Sequence, residues 1–207
     1  MELLNPMVRL FALSFCFVLT SQAQTFEQMQ KAMKQSYSNE YRGDYATAMA
    51  DVQKVYKADS YEMNLRMGWL LYSLKKYPQS LEYYQKAIDL RKYSVEARLG
   101  YIGSANANKA YDKAYAKYEE ILTIDPYNSA ANYWVGVNYY KVKKYNVAAK
   151  YFELVVNMYP FDYDANHMLG WTYLSLGRMG EARHLFQVAL MNKPDDASAK
   201  EGLLKCN

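Results

Sequence analysis

The stretch that decides the fold is MLGWTYLSLGRMGEARHLFQVALMNKP, residues 168–194, because it repeats the pattern of WVGVNYYKVKKYNVAAKYFELVVNMYP, residues 134–160. Both segments contain a glycine, an alanine, a phenylalanine and a proline at equal spacings. The matching pairs are 34 residues apart: Gly136 and Gly170, Ala148 and Ala182, Phe152 and Phe186, Pro160 and Pro194. A fixed period of this length indicates an array of small helical units.

The period extends outward over most of the chain. Four units without insertions cover residues 61–94, 95–128, 129–162 and 163–196. Each unit follows a residue whose short side chain can accept from the free N–H groups of a helix start. These predicted caps, with one more after the last unit, are Ser60, Ser94, Asn128, Asp162 and Asp196. An earlier, divergent unit spans residues 24–60, with a helix start at Thr25, and residues 197–207 predict a C-terminal capping helix.

Each unit predicts two antiparallel helices of about 14 residues. Counting from the first residue of a unit, position 8 is a glycine in three of the four and position 20 is serine or alanine. We expect these small residues to face each other and let the two helices approach closely. Larger residues at the other apolar positions are expected to pack between the helices, among them Tyr77, Tyr111, Trp134, Tyr145 and Phe152.

The pattern resembles the tetratricopeptide repeat (TPR), and the resemblance covers nearly the whole mature chain. It implies an all-α fold: a right-handed α-solenoid of about five helix-turn-helix units with the C-terminal capping helix. The third unit departs from the pattern, because Ile102 stands at position 8 between Gly100 and Gly103. Interior glycines weaken a helix by about 1 kcal/mol each. We therefore expect a bend or local mobility in this helix.

The resemblance also implies a binding surface, since related proteins receive partners on the concave side of their first helices. The equivalent residues here are Leu65, Trp69, Tyr72, Tyr133, Val137, Tyr140, Lys141, His167, Trp171 and Leu174. We call these ten residues the first-helix face. The asparagines and lysines with which related domains clamp acidic chaperone tails are missing, so we expect an apolar or aromatic peptide or protein surface as partner. The alternative is that the rings only pack on neighbouring units.

Basic residues recur at the ends of successive first helices. They are Lys75, Lys76, Lys109, Lys143, Lys144 and Arg178. Such a ridge could bind an acidic partner or membrane phosphates. Cations at a helix C-terminus are also favourable in themselves, and the sequence favours this simpler explanation.

Other functions have weaker support. The formal charge of +4 is too small for a typical nucleic-acid binder. Asp162, Asp164 and His167 could in principle hold a metal, but Asp162 and Asp164 are better explained as a helix cap and a first-turn acid. We expect no cofactor, no metal and no enzymatic activity. The alternative function is glycan binding or uptake, because aromatic rings stack on sugars and some TPR folds serve glycan uptake.

The first 23 residues are predicted to be a signal peptide. An arginine precedes the apolar run LFALSFCFVLT, and Ser21-Gln22-Ala23 forms a small-residue cleavage site. The run is too short for a membrane span, which needs about 20 residues. We expect cleavage between Ala23 and Gln24 and an exported protein of the bacterial type, periplasmic or secreted. Cys206 would be the only mature cysteine, which excludes an intramolecular disulfide.

Overall fold

The structure is a computed structural model that describes residues 26–207. The predicted signal peptide, its cleavage site after Ala23 and the predicted helix start at Thr25 lie outside these residues. The described part of the chain consists of α-helices joined by turns, with no β-strand. The helices are α1 (residues 26–41), α2 (Tyr45–Gln53), α3 (Tyr61–Ser73), α4 (Tyr77–Leu90), α5 (Val95–Ala107), α6 (Tyr111–Ile124), α7 (Ser129–Lys141), α8 (Tyr145–Met158), α9 (Tyr163–Ser175), α10 (Met179–Asn192) and α11 (Ala197–Leu204).

Backbone contacts divide the chain into two compact units, one ending at Lys92 and one spanning Tyr93–Asn207. In the first, α2 packs on α3 and α3 packs on α4. In the second, each helix from α5 to α11 packs on the next, and α9 also contacts α7 and α11. This confirms the all-α fold of helix-turn-helix repeats. None of the helices between residues 26 and 207 has the length and apolarity needed to cross a membrane.

Side chains that accept hydrogen bonds from the backbone fix the starts of α3, α5, α7, α9 and α11. All five predicted caps accept a bond from a backbone N–H in the first turn; in Asp162, Oδ1 accepts from the N–H of Ala165 at 2.8 Å. Three units add a buried asparagine at position 4. Nδ2 of Asn166 donates to the carbonyl oxygens of Pro160 (3.0 Å) and Asp162 (2.7 Å), and Asn64 and Asn132 make the equivalent bonds. The asparagine thus joins the end of one unit to the start of the next.

The glycines at position 8 make room for a ring at position 24 on the second helix. A Cβ on Gly136 would lie 2.8 Å from the ring of Phe152, and one on Gly170 would lie 2.9 Å from Phe186. Gly68 has the same relation to Tyr84, at 3.0 Å. In one unit the residue at position 20 also bonds to the first helix, since Ser80 Oγ donates to the carbonyl oxygen of Gly68 at 2.7 Å. In all three units, the contact of the ring with the glycine is what brings the two helices close together.

The third unit keeps a regular first helix despite its glycines. Helix α5 is continuous from Val95 to Ala107, and Ile102 is buried at position 8. A Cβ on Gly103 would meet no atom within 4 Å. The bend or mobility expected at this helix stays a prediction.

The sequence predicted that Trp134 packs between the two helices of its own unit, but the structure places it elsewhere. Its side chain is 45% exposed, and its ring stacks on Tyr118 of the preceding helix with centroids 6.2 Å apart. The reason is its place at position 6, two residues before the glycine that faces Phe152. This side of α7 therefore contacts α6 through the stacked rings of Trp134 and Tyr118.

Tyr111 is a second exception, with 63% of its side chain exposed. The equivalent tyrosines of two other units are partly buried because each packs on a tyrosine of its first helix. These pairs are Tyr72–Tyr77 and Tyr140–Tyr145, with ring centroids 5.8 Å and 5.3 Å apart. In the third unit the partner position is Asn106, which has no ring.

The turn between the two helices of a unit requires a left-handed backbone residue. Gly43 and Gly177 occupy this position with φ of 79° and 75°, but Lys75, Lys109 and Lys143 occupy it in three other units with φ of 58°. For a residue with a Cβ, this left-handed conformation costs roughly 1–2 kcal/mol. Three of the basic residues noted in the sequence therefore stand where glycine would fit with less strain.

We expect Gly136→Ala to lower the melting temperature, because its methyl group would overlap the fully buried ring of Phe152. Overpacking of this kind destabilises by about 1–3 kcal/mol, more than the gain of about 1 kcal/mol in helix propensity. Gly103→Ala is the matched control, since its methyl group meets empty space. It should leave the melting temperature unchanged or raise it; equal behaviour of the two variants would contradict the ring contact.

We expect Lys143→Gly to raise the melting temperature. Relief of the left-handed strain, about 1–2 kcal/mol, exceeds the entropic penalty of glycine, about 0.5–1 kcal/mol. Lys144→Gly is the control, because Lys144 has an ordinary φ of −84° and should only lose stability. Thermal unfolding followed by circular dichroism measures both variants, and a destabilised Lys143→Gly would disprove the strain.

Candidate binding surface

The compact unit that ends at Lys92 contains three residues of the first-helix face, and all three are on α3. Trp69 is 42% exposed, while Leu65 and Tyr72 are half-buried. The Trp69 ring stacks on Tyr72 with centroids 5.8 Å apart, and its indole N–H donates to the carboxylate of Glu40. Glu40 in turn forms an ion pair with the buried Arg66. The exposed ring is therefore held in one orientation.

The compact unit from Tyr93 onward contains the other seven residues of the first-helix face. Tyr133, Val137, Tyr140 and Lys141 lie on α7, and His167, Trp171 and Leu174 lie on α9. Helices α7 and α9 are in contact, so these seven residues lie on two neighbouring helices. All are half-buried except Lys141, which is exposed.

Several of these rings also contribute to packing. The ring centroid of Tyr133 lies 5.9 Å from that of Phe152, and that of Trp171 lies 5.3 Å from Phe186. Burial, with the nearby carboxylates of Asp164 and Asp162, raises the pKa of Tyr133 to about 12. The packing alternative thus has support at Tyr133 and Trp171, although neither side chain is fully enclosed.

A hydrogen-bond network on α9 fixes Trp171 and links it to α11. The indole N–H of Trp171 donates to Nε2 of His167 (3.1 Å) and to Oγ of Ser198 (3.1 Å), and His167 Nε2 lies 2.8 Å from the same hydroxyl. Burial lowers the pKa of His167, partly opposed by Asp196, at 4.0 Å, and by Asp164. An uncharged imidazole whose Nε2 accepts the indole N–H fits this arrangement.

Two of the three residues considered as metal ligands have other partners. Asp162 caps α9, and His167 is bonded within the Trp171 network. Across residues 26–207, no group of three or more histidine, cysteine or acidic side chains is arranged to hold a metal ion.

A pocket of about 340 Å³ lies beside the first-helix face, and the sequence reasoning missed it. Its lining residues are Asn106, Tyr111, Ala114, Tyr115, Tyr118, Trp134, Val137, Asn138 and Lys141. We call it the α5–α7 pocket. It contains two predicted face residues, Val137 and Lys141. The missed signal was the loss of large side chains at positions 9 and 12, where other units have Trp171 and Tyr140.

The sequence profile of the tetratricopeptide repeat family matches residues 34–94, 65–129 and 136–197, which is more than half of the chain. The chain belongs to the TPR family. No curated protein matches its sequence. TPR repeats bind protein partners and are typically not enzymes, so this TPR protein is a protein-interaction scaffold.

Solved structures of similar fold are also TPR proteins. A crystal structure of the MamA protein shares 21% identity with a TM-score of 0.68, over 83% of this chain and 94% of that one. A tetratricopeptide repeat protein from Parabacteroides merdae shares 17% identity with a TM-score of 0.72, over 87% and 72% of the two chains. MamA from Desulfovibrio magneticus shares 17% identity with a TM-score of 0.67, over 82% and 97%. At these identities the likeness shows the fold alone.

We expect His167 to make the stability of this TPR protein depend on pH. Its pKa in the folded state lies below its ordinary value of 6.5, so the unfolded chain takes up the proton first as pH falls. This contribution to stability is complete above pH 6.5 and declines below it until the folded pKa is reached. Protonation would also remove the acceptor for the Trp171 indole N–H.

Urea unfolding at pH 7.5 and pH 5.5 measures this effect. His167→Gln keeps an acceptor for Trp171 but cannot be protonated, so its stability should fall less between the two pH values than that of the unmodified protein. His184→Gln is the control, because His184 is exposed on α10. The assignment would be wrong if the control reduced the pH dependence and His167→Gln did not.

Proposed function

We propose that this TPR protein is exported and binds an apolar or aromatic segment of an envelope protein partner on its first-helix face. The supporting observation is that its tryptophans are ordered without being enclosed. Trp69 is held by Glu40, and Trp171 is held by His167 and Ser198, yet both rings retain exposed surface. Side chains that are already fixed lose little entropy when a partner packs on them.

The chemical character of the face supports an apolar partner. Aromatic and aliphatic side chains dominate it, with Lys141 and His167 as its basic members. Aromatic residues with partly exposed rings are the usual energetic centres of protein interfaces. A partner rich in charge but lacking apolar side chains would leave these rings uncovered.

The export proposal rests on the N-terminal sequence. The apolar run followed by Ser21-Gln22-Ala23 is a pattern typical of cleaved signal peptides. N-terminal sequencing of the protein isolated from its native cell tests this directly. A chain starting at Gln24 is expected, whereas a chain that retains Met1 would disprove export by this route.

The binding proposal predicts that Tyr140→Ala weakens partner capture. The mature chain, immobilised on a resin, is used to isolate partners from an envelope extract, and the affinity of the identified partner is then measured with purified variants. Truncating a ring at an interface centre should weaken binding by about 1–4 kcal/mol. Tyr140 packs on Tyr145, so the helical signal of each variant is checked before binding is compared.

Tyr127→Ala is the matched control. Tyr127 is exposed and belongs to the same compact unit, but it lies in the turn before α7 and outside the first-helix face. It should leave binding unchanged. Loss of affinity in the control equal to that in Tyr140→Ala, or no loss in either variant, would rule out the face as the binding surface.

The second candidate is glycan binding. The α5–α7 pocket favours it, because its lining combines ring faces with the amide groups of Asn106 and Asn138, as carbohydrate sites do. However, the lining residues include no carboxylate to bind the hydroxyl groups of a sugar. Binding to a glycan array with no capture of an envelope protein would support this candidate over the first.

A further inference from the structure

The α5–α7 pocket exists because two large side chains of the repeat are replaced by small ones. At position 9, two units have Trp69 and Trp171, but α7 has Val137. At position 12, Tyr140 packs on the first ring of its second helix, but α5 has Asn106. The space left by these replacements forms an open hollow of about 340 Å³. This is near the lower end of the roughly 300–1,000 Å³ typical of ligand pockets.

The walls of the pocket present ring surfaces. Tyr118 and Trp134 are stacked with an angle of 19° between their planes, and Tyr111 borders the hollow with most of its side chain exposed. The Tyr115 hydroxyl donates to Glu119 at 2.9 Å. Four of the nine lining residues carry aromatic rings and one carries a charge, so the pocket offers a ligand a largely aromatic surface.

The charge around the pocket is positive. Lys141 is the one charged residue among the lining side chains. Lys109 stands in the turn between two lining residues, Asn106 and Tyr111, and Lys143 follows Lys141 by two positions. Both Lys109 and Lys143 keep the strained left-handed backbone that glycine adopts in other units. The segments 106–119 and 134–144 contain six lysines, one aspartate and one glutamate.

We propose that the α5–α7 pocket binds an aromatic side chain that is flanked by carboxylates, as in a peptide segment with phenylalanine between acidic residues. The ring enters the space between Tyr111, Tyr118 and Trp134, where offset or edge-to-face contacts are favourable. The carboxylates lie near Lys141 and the lysines of the two turns. This deepens the proposed function, on which it rests, by naming the chemistry of the partner.

The test uses 19F NMR of the mature protein labelled with fluorotryptophan. The protein has three tryptophans, so Trp134 reports on the pocket, and Trp69 and Trp171 are internal references. The Trp134 signal is assigned with Trp134→Phe. Three capped tripeptides are titrated at low salt: Glu-Phe-Glu, the neutral Gln-Phe-Gln, and Glu-Ala-Glu, which lacks the ring.

Glu-Phe-Glu should move the Trp134 signal saturably, with a Kd in the millimolar range or tighter. Gln-Phe-Gln should bind about two- to fivefold more weakly, because it lacks the charges that interact with exposed lysines. Glu-Ala-Glu should give no saturable shift. The proposal would be overturned by equal binding of the acidic and neutral peptides, by no shift with any peptide, or by a larger shift at Trp69 or Trp171.

Two variants fill the pocket with side chains that other units already use. Val137→Trp copies Trp171, and Asn106→Tyr restores the tyrosine pair with Tyr111. Either should abolish the Trp134 shift while the helical signal is retained, and having both guards against one variant failing to fold. Lys141→Gln should weaken Glu-Phe-Glu binding about two- to fivefold. Lys75→Gln, a lysine of the other compact unit, should have no effect.

The partner captured under the proposed function separates the two ideas. If that partner binds Val137→Trp as tightly as the unmodified protein, the pocket assignment is wrong and the scaffold function stands. If no partner is captured from the envelope, the proposed function fails whatever the peptides do. A chitin oligosaccharide that moves the Trp134 signal when Glu-Phe-Glu does not would overturn the peptide assignment in favour of a glycan.

Discussion

In three of the repeat units, the contact between a ring on the second helix and a glycine on the first helix sets the distance between the two helices. Phe152 lies so close to the backbone of Gly136 that a methyl group would not fit, and Phe186 has the same relation to Gly170. Because the ring lies against bare backbone, the helices approach closely while the core still contains a large apolar group. Small residues are then needed nearby, and Ala148 and Ala182 are fully buried beside these rings.

Once this contact is fixed, the remaining positions of a unit divide into two kinds. Some are filled in a similar way in most units, such as the helix caps and the asparagine at position 4 that ties one unit to the next. Others lie at the edge of the packing and tolerate change, and Asn106 and Val137 stand at two of these. Their small size leaves the α5–α7 pocket open without disturbing the glycine contact of α7 with Phe152. The repeat can therefore hold its shape while one site differs from the others.

Much of the fold follows from the sequence, because caps, glycines and prolines act through local physics that recurs every 34 residues. Asp162, for example, was predicted to cap a helix, and its carboxylate accepts the N–H of Ala165 in the first turn. Trp134 was misplaced because a period tells which residues share a face but not which neighbouring helix covers that face. Tyr111 was misplaced because its burial depends on a partner ring, and Asn106 cannot supply one. The α5–α7 pocket was missed because it forms where large side chains are replaced by smaller ones, at Asn106 and Val137.

The first-helix face was only partly accessible to sequence reasoning. The periodicity places Tyr133 and Trp171 on one side of their helices, but it contains nothing about the hydrogen bonds of an indole. Trp171 bonds to His167 of its own helix and to Ser198 of α11, which lies 27 positions further along the chain. Such contacts depend on the packing of α11, which propensities do not describe.

Phe186 lies between two glycines, since a Cβ on Gly202 of α11 would be 2.3 Å from its ring, and Gly170 of α9 faces the same ring. Helix α11 therefore covers the side of the Phe186 ring that α9 leaves open. In a chain cut before Ala197, this fully buried ring would lose the cover of α11. An aromatic surface uncovered in this way is one that another molecule can bind.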